Sequence, residues 1–402
     1  MFAKKRIYLD HAAATPVSSA VIRAMSPYWS DFFGNPSAIH QEGVTAKKVI
    51  SGVRDAIAGL LRVHSDEIIF TGSATESANL AIRGVVDAYQ KEHKEAVPRV
   101  IISSLEHAAV LETAHALRAQ GVDVVDVPIL SSGVIDMDAL AQLINEQTIL
   151  VSIMLANNEI GVIQPIREIA KLLREKRKSF SNARKEQVAY PYFYTDACQA
   201  TNYIDLDIPK LGVDLLTVNS AKIYGPKGIA LLYVRRGVKI VPIIQGGGQE
   251  FGLRAGTEQV SLIVGFGAAM KEATMMREKE SLRVRTLRDE MLKQVRVHYP
   301  EVVVNGDLES RLPNNLNLTF PGVDHEFLVL VLDANGVAVS TKSACNEFDA
   351  EISHVLLALR GEHDDLPPQG VRITLGRDTT LRDVARVASI FGSIRQQILP
   401  LL

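Results

Sequence analysis

The stretch D-L-L-T-V-N-S-A-K-I-Y-G-P-K-G, Asp214 to Gly228, decides how the chain is read. Its first six residues are an apolar, β-branched run that reads as a buried strand ending near Asn219. Lys222 follows directly, and then a Gly-Pro turn. The exit of a buried strand is an odd place for a solvated charge. Lys222 is therefore either a surface lysine or a reactive amine, and its neighbours along the chain must decide which.

Upstream, strand-like and helix-like stretches alternate. E-I-I-F-T at 67 to 71, R-V-I-I-S-S at 99 to 104 and T-I-L-V-S-I-M-L at 148 to 155 each lead through a turn into a helical pattern. Y-F-Y-T-D at 192 to 196 and I-A-L-L-Y-V at 229 to 234 flank the opening stretch on either side. Near-continuous apolar strands joined by helical crossovers predict an α/β fold with a mostly parallel sheet. In such sheets ligands bind beyond the carboxyl ends of the strands, so the residues just after each strand are the ones to read.

Those residues form a consistent set. F-T-G-S-A-T-E-S, 70 to 77, is a strand, a small-residue turn and a helix start, a geometry that cradles phosphate; a plain helix cap is the alternative. His107 opens the helix after the next strand, where it caps or packs, stacks on a planar ligand, or moves a proton. N-N-E-I-G, 157 to 161, sets polar side chains at the mouth of another strand, or is simply a turn. Asp196 closes an aromatic strand, where a carboxylate needs a partner. Cys198, in the same turn, reads as a small buried residue. Each group alone has a structural explanation. A phosphate cradle, a histidine, a carboxylate and a lysine at one sheet edge together match what pyridoxal phosphate requires. Neither a dinucleotide-binding G-x-G-x-x-G nor a P-loop is present.

The bulk numbers are those of an ordinary globular protein. The chain has 402 residues, 47% hydrophobic and 22% charged, with a net charge of -2. That balance argues against a nucleic-acid or membrane surface. No window is apolar and long enough for a signal peptide or a membrane span. The two cysteines, Cys198 and Cys345, make no disulfide framework and no four-cysteine zinc site, so a reducing cytoplasm is expected. Cys345 lies in S-T-K-S-A-C-N-E-F-D-A-E, a polar stretch without apolar period that reads as a loop. From about 263 a long charged helix and shorter strands predict a smaller α+β unit. The basic stretch R-E-K-R-K-S-F-S-N-A-R-K-E-Q, 174 to 187, reads as a solvated helix end and loop; an acidic partner is the alternative.

The ordered motifs resemble the cysteine desulfurases, the class V branch of fold-type I pyridoxal-phosphate enzymes. The resemblance runs through Y-L-D-H-A-A-A-T-P at 8 to 16, F-G-N-P-S-A-I-H at 33 to 40, G-S-A-T-E-S, E-H-A-A-V, N-N-E-I-G, D-A-C-Q-A and K-I-Y-G-P-K-G. It continues through G-G-G-Q-E at 246 to 250, R-A-G-T-E at 254 to 258, S-T-K-S-A-C at 340 to 345, S-H-V-L at 353 to 356 and V-R-I-T-L-G-R at 371 to 377. It implies a large cofactor-binding domain, 15–262, with a mostly parallel seven-stranded sheet. A smaller C-terminal domain, 263–402, is joined to it by residues 1–14.

The resemblance also implies roles. Lys222 would be the Schiff-base lysine, Asp196 the partner of the pyridinium nitrogen, and Gln199 that of the ring hydroxyl. His107 would stack on the ring and assist proton transfer. Ala74 and Thr75 would bind the phosphate, with Asn219 and Ser220 contributing. Thr257 would reach the phosphate of a neighbouring subunit, implying a homodimer with shared sites. Arg372 would clamp the substrate carboxylate, and Asn35 and Asn158 would orient the substrate. Cys345, by resemblance to the long-loop group, would take sulfur from L-cysteine as a persulfide, leaving L-alanine. It would pass that sulfur to an acceptor protein in iron–sulfur assembly or tRNA thiolation. Where the family has Ser-x-His-Lys, this chain has Asn219, Ser220, Ala221 and Lys222. Ala221 removes one phosphate contact, worth roughly 1.5–3 kcal/mol when charge-assisted. Two alternatives stay open: another class V enzyme (a selenocysteine lyase or an aminotransferase), and a non-catalytic scaffold of the same fold.

Overall fold

The computed structural model describes residues 6–184, 189–341, 353–359 and 369–398. In chain order its strands are β1 Ile7–Tyr8, β2 Ile68–Thr71, β3 Arg99–Ser103, β4 Asp123–Val127, β5 Thr148–Ser152 and β6 Tyr192–Asp196. Then follow β7 Leu215–Asn219, β8 Ala230–Val234, β9 Val303–Val304, β10 Asn315–Thr319, β11 Val337–Ala338 and β12 Val371–Thr374. The helices are α1 Ser19–Met25, α2 Pro27–Ser30, α3 Gln41–Leu61, α4 Ala74–Glu92, α5 Ala108–Ala119 and α6 Met137–Leu143. They continue as α7 Ile166–Arg184, α8 Ile208–Leu211, α9 Val260–His298, α10 His325–Ala334, α11 His354–Leu359 and α12 Leu381–Ile398.

Seven strands form one sheet in the order β2-β8-β7-β6-β5-β3-β4. The β7-β6-β5-β3-β4 run is parallel throughout, whereas β8 is antiparallel to both its neighbours. The expected mostly parallel seven-stranded sheet is thus what forms. Strands β5, β6 and β8 are buried along their whole length, as strands covered by helices on both faces must be. Their uninterrupted apolar runs follow from that double burial. The edge strand β4 differs: it alternates buried and exposed residues, with Asp123 and Asp126 on its wetter positions. The sequence reading passes over it, because D-V-V-D-V looks neither fully buried nor helical.

The second sheet is antiparallel, in the order β12-β10-β9, and β1 pairs in parallel with β11 beside it. Residue Asp10 bridges to Thr374, so the N-terminal strap runs from this smaller sheet toward the large one. Helix α9 joins the two cores. Its first half puts Ile263, Phe266 and Met270 into the large core, and its second half puts Leu287, Met291 and Val295 into the small one. The expected break at 262/263 therefore falls inside a continuous helix. Helix α7 also corrects part of the basic stretch at 174 to 187. Arg177 is an inward-facing residue that bonds the Pro191 carbonyl and the buried Asp214, while Lys176 donates to Ala141.

Candidate active site

The carboxyl ends of β5, β6 and β7 open on one cleft of about 160 Å³. Each wall is built by a local device. At the end of β7, the Asn219 side chain accepts from the Ala221 N–H at 3.0 Å. That contact folds Ser220–Lys222 into a single tight turn. The Lys222 amine then lies 2.8 Å from the Ala12 carbonyl and 2.7 Å from that of Ala13. Thr15 locks the turn from outside: its N–H and hydroxyl each donate to the Ala221 carbonyl at 3.0 Å. The Y-L-D-H-A-A-A-T-P strap thus has a physical task, which is to hold the lysine turn and line the cleft floor.

Asp196 ends β6 and is 9% exposed, with one carboxylate oxygen accepting from the Cys198 N–H at 2.8 Å. Gln199, in the same turn, donates to the Ala12 carbonyl at 3.0 Å. Cys198 is buried as expected, and burial, followed by the Asp196 charge, pushes its thiol pKa well up. It is a poor nucleophile in consequence.

His107 caps α5: its Nδ1 lies 3.1 Å from the Ala109 backbone N–H. A backbone N–H can only donate, so Nδ1 is the acceptor and a neutral ring carries its proton on Nε2. At the start of α4, Ser73 is the cap and accepts from Glu76 N–H at 3.1 Å. The Glu76 carboxylate in turn takes the Gly72 N–H at 2.9 Å and Arg254 at 2.8 Å. This leaves the N–H groups of Ala74 and Thr75 at the cleft wall with no acceptor among the described residues, a ready anion site.

Arg372 reaches the cleft from the small sheet. It is 1% exposed, with Nη2 at 2.8 Å from Asp10 and Nη1 at 3.2 Å from the Asn158 carbonyl. Its Nε is buried without an acceptor among the described residues. Asn158 lines the same wall, on a loop turned by Gly161. Gly161 has φ +72 and no room for a side chain, since a Cβ there would stand 2.6 Å from Asn315.

The structure therefore gathers Lys222, Asp196, Gln199, His107, Ala74, Thr75, Asn219, Asn158 and Arg372 around one cleft. Three of the expected residues lie elsewhere. Ser220 is fully buried and directed at Gly225, where a Cβ would meet its Oγ at 2.2 Å. The tight turn sends Asn219 and Lys222 to the cleft wall and Ser220 behind it, which corrects its assignment to the phosphate. Asn35 is exposed and occupied with the Ser37 N–H at 2.9 Å, and Thr257 is exposed; neither lines this chain's cleft. Cys345 lies outside the described residues.

Sequence reasoning missed Asp10 and Glu106. Asp10 neutralises Arg372, and only its place in the strap two residues before Ala12 hints at it. Glu106 is fully buried beside His107, taking the Met154 N–H at 2.6 Å with one oxygen and leaving the other unpartnered. Burial raises its pKa well above the carboxylate range, and the Asp196 charge adds to the rise.

Known proteins resemble this chain over nearly its whole length. The profile of the aminotransferase class-V family matches residues 7–387. The chain belongs to that family. A curated relative, the cysteine desulfurase IscS of Dictyoglomus turgidum, is 41% identical over 395 residues, 98% of this chain and 96% of that one. A solved NifS-like protein is 33% identical, covers 99% of this chain and 100% of its own, and superposes with a TM-score of 0.87. The solved structure of SspA in complex with cysteine is also 33% identical, covering 92% and 98%, with a TM-score of 0.76.

Enzymes of this family depend on pyridoxal phosphate. The residues present fit that group. A lysine amine, a carboxylate at a strand end and two N–H groups at a helix start are the donor and acceptor types it needs. No helix among the described residues is long and apolar enough to cross a membrane.

Proposed function

We propose that the protein is a cysteine desulfurase: it converts L-cysteine to L-alanine and keeps the sulfur as a persulfide on Cys345. The observation that carries this reading is the convergence of Lys222, Asp196, His107 and Arg372 on one cleft from four separate elements. Pyridoxal phosphate, when bound, supplies an electron sink for the bonds at the substrate α-carbon. The N–H groups of Ala74 and Thr75, the Thr75 hydroxyl and the Asn219 amide hold its phosphate. Asp196 would pair with its ring nitrogen, Gln199 with its hydroxyl, and His107 would stack on its ring.

The remaining steps belong to side chains. Arg372 binds the substrate carboxylate, for which its unpartnered Nε is a spare donor, and Asn158 orients the substrate beside it. The Lys222 amine holds the cofactor and moves protons at the α-carbon. Cys345 thiolate takes the substrate sulfur: an S–S bond forms as the C–S bond breaks. The bond's electron pair stays on carbon, which gains a proton and ends as the alanine methyl group. Sulfur is oxidised as carbon is reduced, so no outside oxidant is needed. Burial pushes the Cys198 thiol pKa well up, which supports Cys345 as the nucleophile.

Thr257 and Asn35, exposed on their own chain, serve the cleft of a second copy, which makes the working unit a homodimer. The persulfide passes to an acceptor protein of iron–sulfur assembly or tRNA thiolation, in a reducing cytoplasm. An assay of L-cysteine turnover with a reductant tests the core of this reading. The wild-type protein should release L-alanine and sulfide, and Cys345→Ser should release no sulfide while keeping the cofactor's absorbance. Full activity in Cys345→Ser would refute the persulfide route.

A further inference from the structure

Helix α4, whose first N–H groups are the phosphate donors of the reading above, carries an acid in its own first turn. Glu76 follows Thr75 directly, and a carboxylate there draws on the same positive helix end that a phosphate uses. Its place is fixed. Oε2 accepts from the Gly72 N–H at 2.9 Å, and the Glu76 N–H donates to the Ser73 hydroxyl at 3.1 Å. Gly72 leaves no room for a side chain, since a Cβ there would stand 2.8 Å from Oε2. Two anions at one helix start repel each other unless a cation offsets one of them.

Arg254 stands in that position. Its Nε lies 2.8 Å from Glu76 Oε1 and its Nη2 3.5 Å from Oε2. The two side chains are only 24% and 16% exposed, so solvent screens the pair weakly. The segment that bears Arg254 is held in place from its start. Glu250 and Phe251 have φ +45 and +58, left-handed values that a residue with a side chain keeps only where its neighbours over-determine them. The neighbour here is Arg54, which bonds the two carboxylate oxygens of Glu250 at 2.6 and 2.7 Å. Its guanidinium also lies 4.7 Å from the Phe70 ring centre and 5.1 Å from that of Phe251. Glu250 takes the Phe70 N–H at 2.8 Å as well. Arg54 thus serves Glu250, and Arg254 serves Glu76.

We propose that Arg254 is a positioning residue for the cofactor phosphate: it cancels the charge of Glu76, so that the start of α4 receives one net anion rather than two. The inference rests on the reading that places the phosphate at Ala74 and Thr75. Neither Glu76 nor Arg254 is among the described residues that line the cleft, so the effect travels through charge rather than contact with the cofactor. It has a definite sign at each partner. Loss of Arg254 leaves Glu76 opposing the phosphate. Loss of the Glu76 charge leaves Arg254 favouring it. Loss of both restores the balance. A purely mechanical clamp behaves otherwise, because removing either partner, or both, frees the same contact.

The test titrates cofactor-free protein with pyridoxal phosphate and, separately, with pyridoxal, which lacks the phosphate; cofactor absorbance reports binding. Arg254→Gln should bind pyridoxal phosphate about tenfold more weakly and pyridoxal as the wild type does. Glu76→Gln, whose amide oxygen still accepts from Gly72, should bind pyridoxal phosphate more tightly than the wild type. The double variant, Glu76→Gln with Arg254→Gln, should return to about the wild-type affinity. A double variant as weak as Arg254→Gln overturns the proposal, and so does an equal loss of affinity for pyridoxal. Should Arg254→Gln fail to fold, Glu76→Gln decides alone: tighter binding supports the proposal, and unchanged or weaker binding overturns it. A wild-type protein that binds pyridoxal phosphate no better than pyridoxal overturns the phosphate site on α4 itself, and is seen before any variant is made.

Discussion

Ala221 sits between two residues of the cleft wall, and its carbonyl is committed to Thr15. Among the described residues that line the cleft, the lysine and arginine side chains are Lys222 and Arg372. Replacing Ala221 by His adds one charge-assisted donor, worth about 1.5–3 kcal/mol. Titration of the cofactor-free protein with pyridoxal phosphate should show Ala221→His binding about ten- to hundredfold tighter. An unchanged affinity would mean that the existing donors already saturate the phosphate. Glu106 gives a second residue-scale prediction. Its folded pKa lies above the ordinary 4.5, so the folded protein holds a proton that the unfolded chain releases. Stability from this group is complete below that value and is lost as pH rises toward the folded pKa. Glu106→Gln removes the slope. Its Tm should gain on the wild type as pH goes from about 5 to about 8; a constant difference across that range would show Glu106 to be ionised when buried.

The elements that bear chemistry were legible because their signals are local. Strands β5, β6 and β7 announce themselves as unbroken apolar runs, and the capping residues Ser73, His107 and Asn219 stand where a strand gives way to a helix. A lysine, a carboxylate and a histidine at such ends could be found by reading outward from each strand. What stayed hidden depends on pairing between distant segments. Asp10 meets Arg372 across 362 positions of chain, and Glu159 meets Ser353 across 194. No periodicity marks such partners. The orientation of Ser220 was also beyond the sequence, since it hangs on which way one tight turn faces. Strand β4 escaped for the opposite reason: as an edge it lacks the burial that makes its neighbours conspicuous.

At the scale of the whole molecule, two cores share helix α9, and the cleft lies where the large sheet's strand ends meet the strand of Arg372. One region is out of keeping with an isolated chain. Trp29, Phe32, Phe33 and Ile39 are 63%, 47%, 72% and 98% exposed within eleven positions, and Phe251 is 59% exposed in the segment that leads to Thr257. Such a run of large apolar side chains fits contact with a second copy. Phe33→Asp should therefore sediment as one chain where the wild type sediments as two. It should also bind pyridoxal phosphate more weakly, through loss of Thr257 from the second copy. A dimer of wild-type affinity would remove both expectations. The measurement that bears most directly on the account is mass spectrometry of the cofactor-loaded protein after brief exposure to L-cysteine without reductant. The account predicts a gain of one sulfur atom on the peptide containing Cys345, matched by one L-alanine released. L-alanine formed with no added sulfur on Cys345, or sulfur found on Cys198 instead, would contradict it.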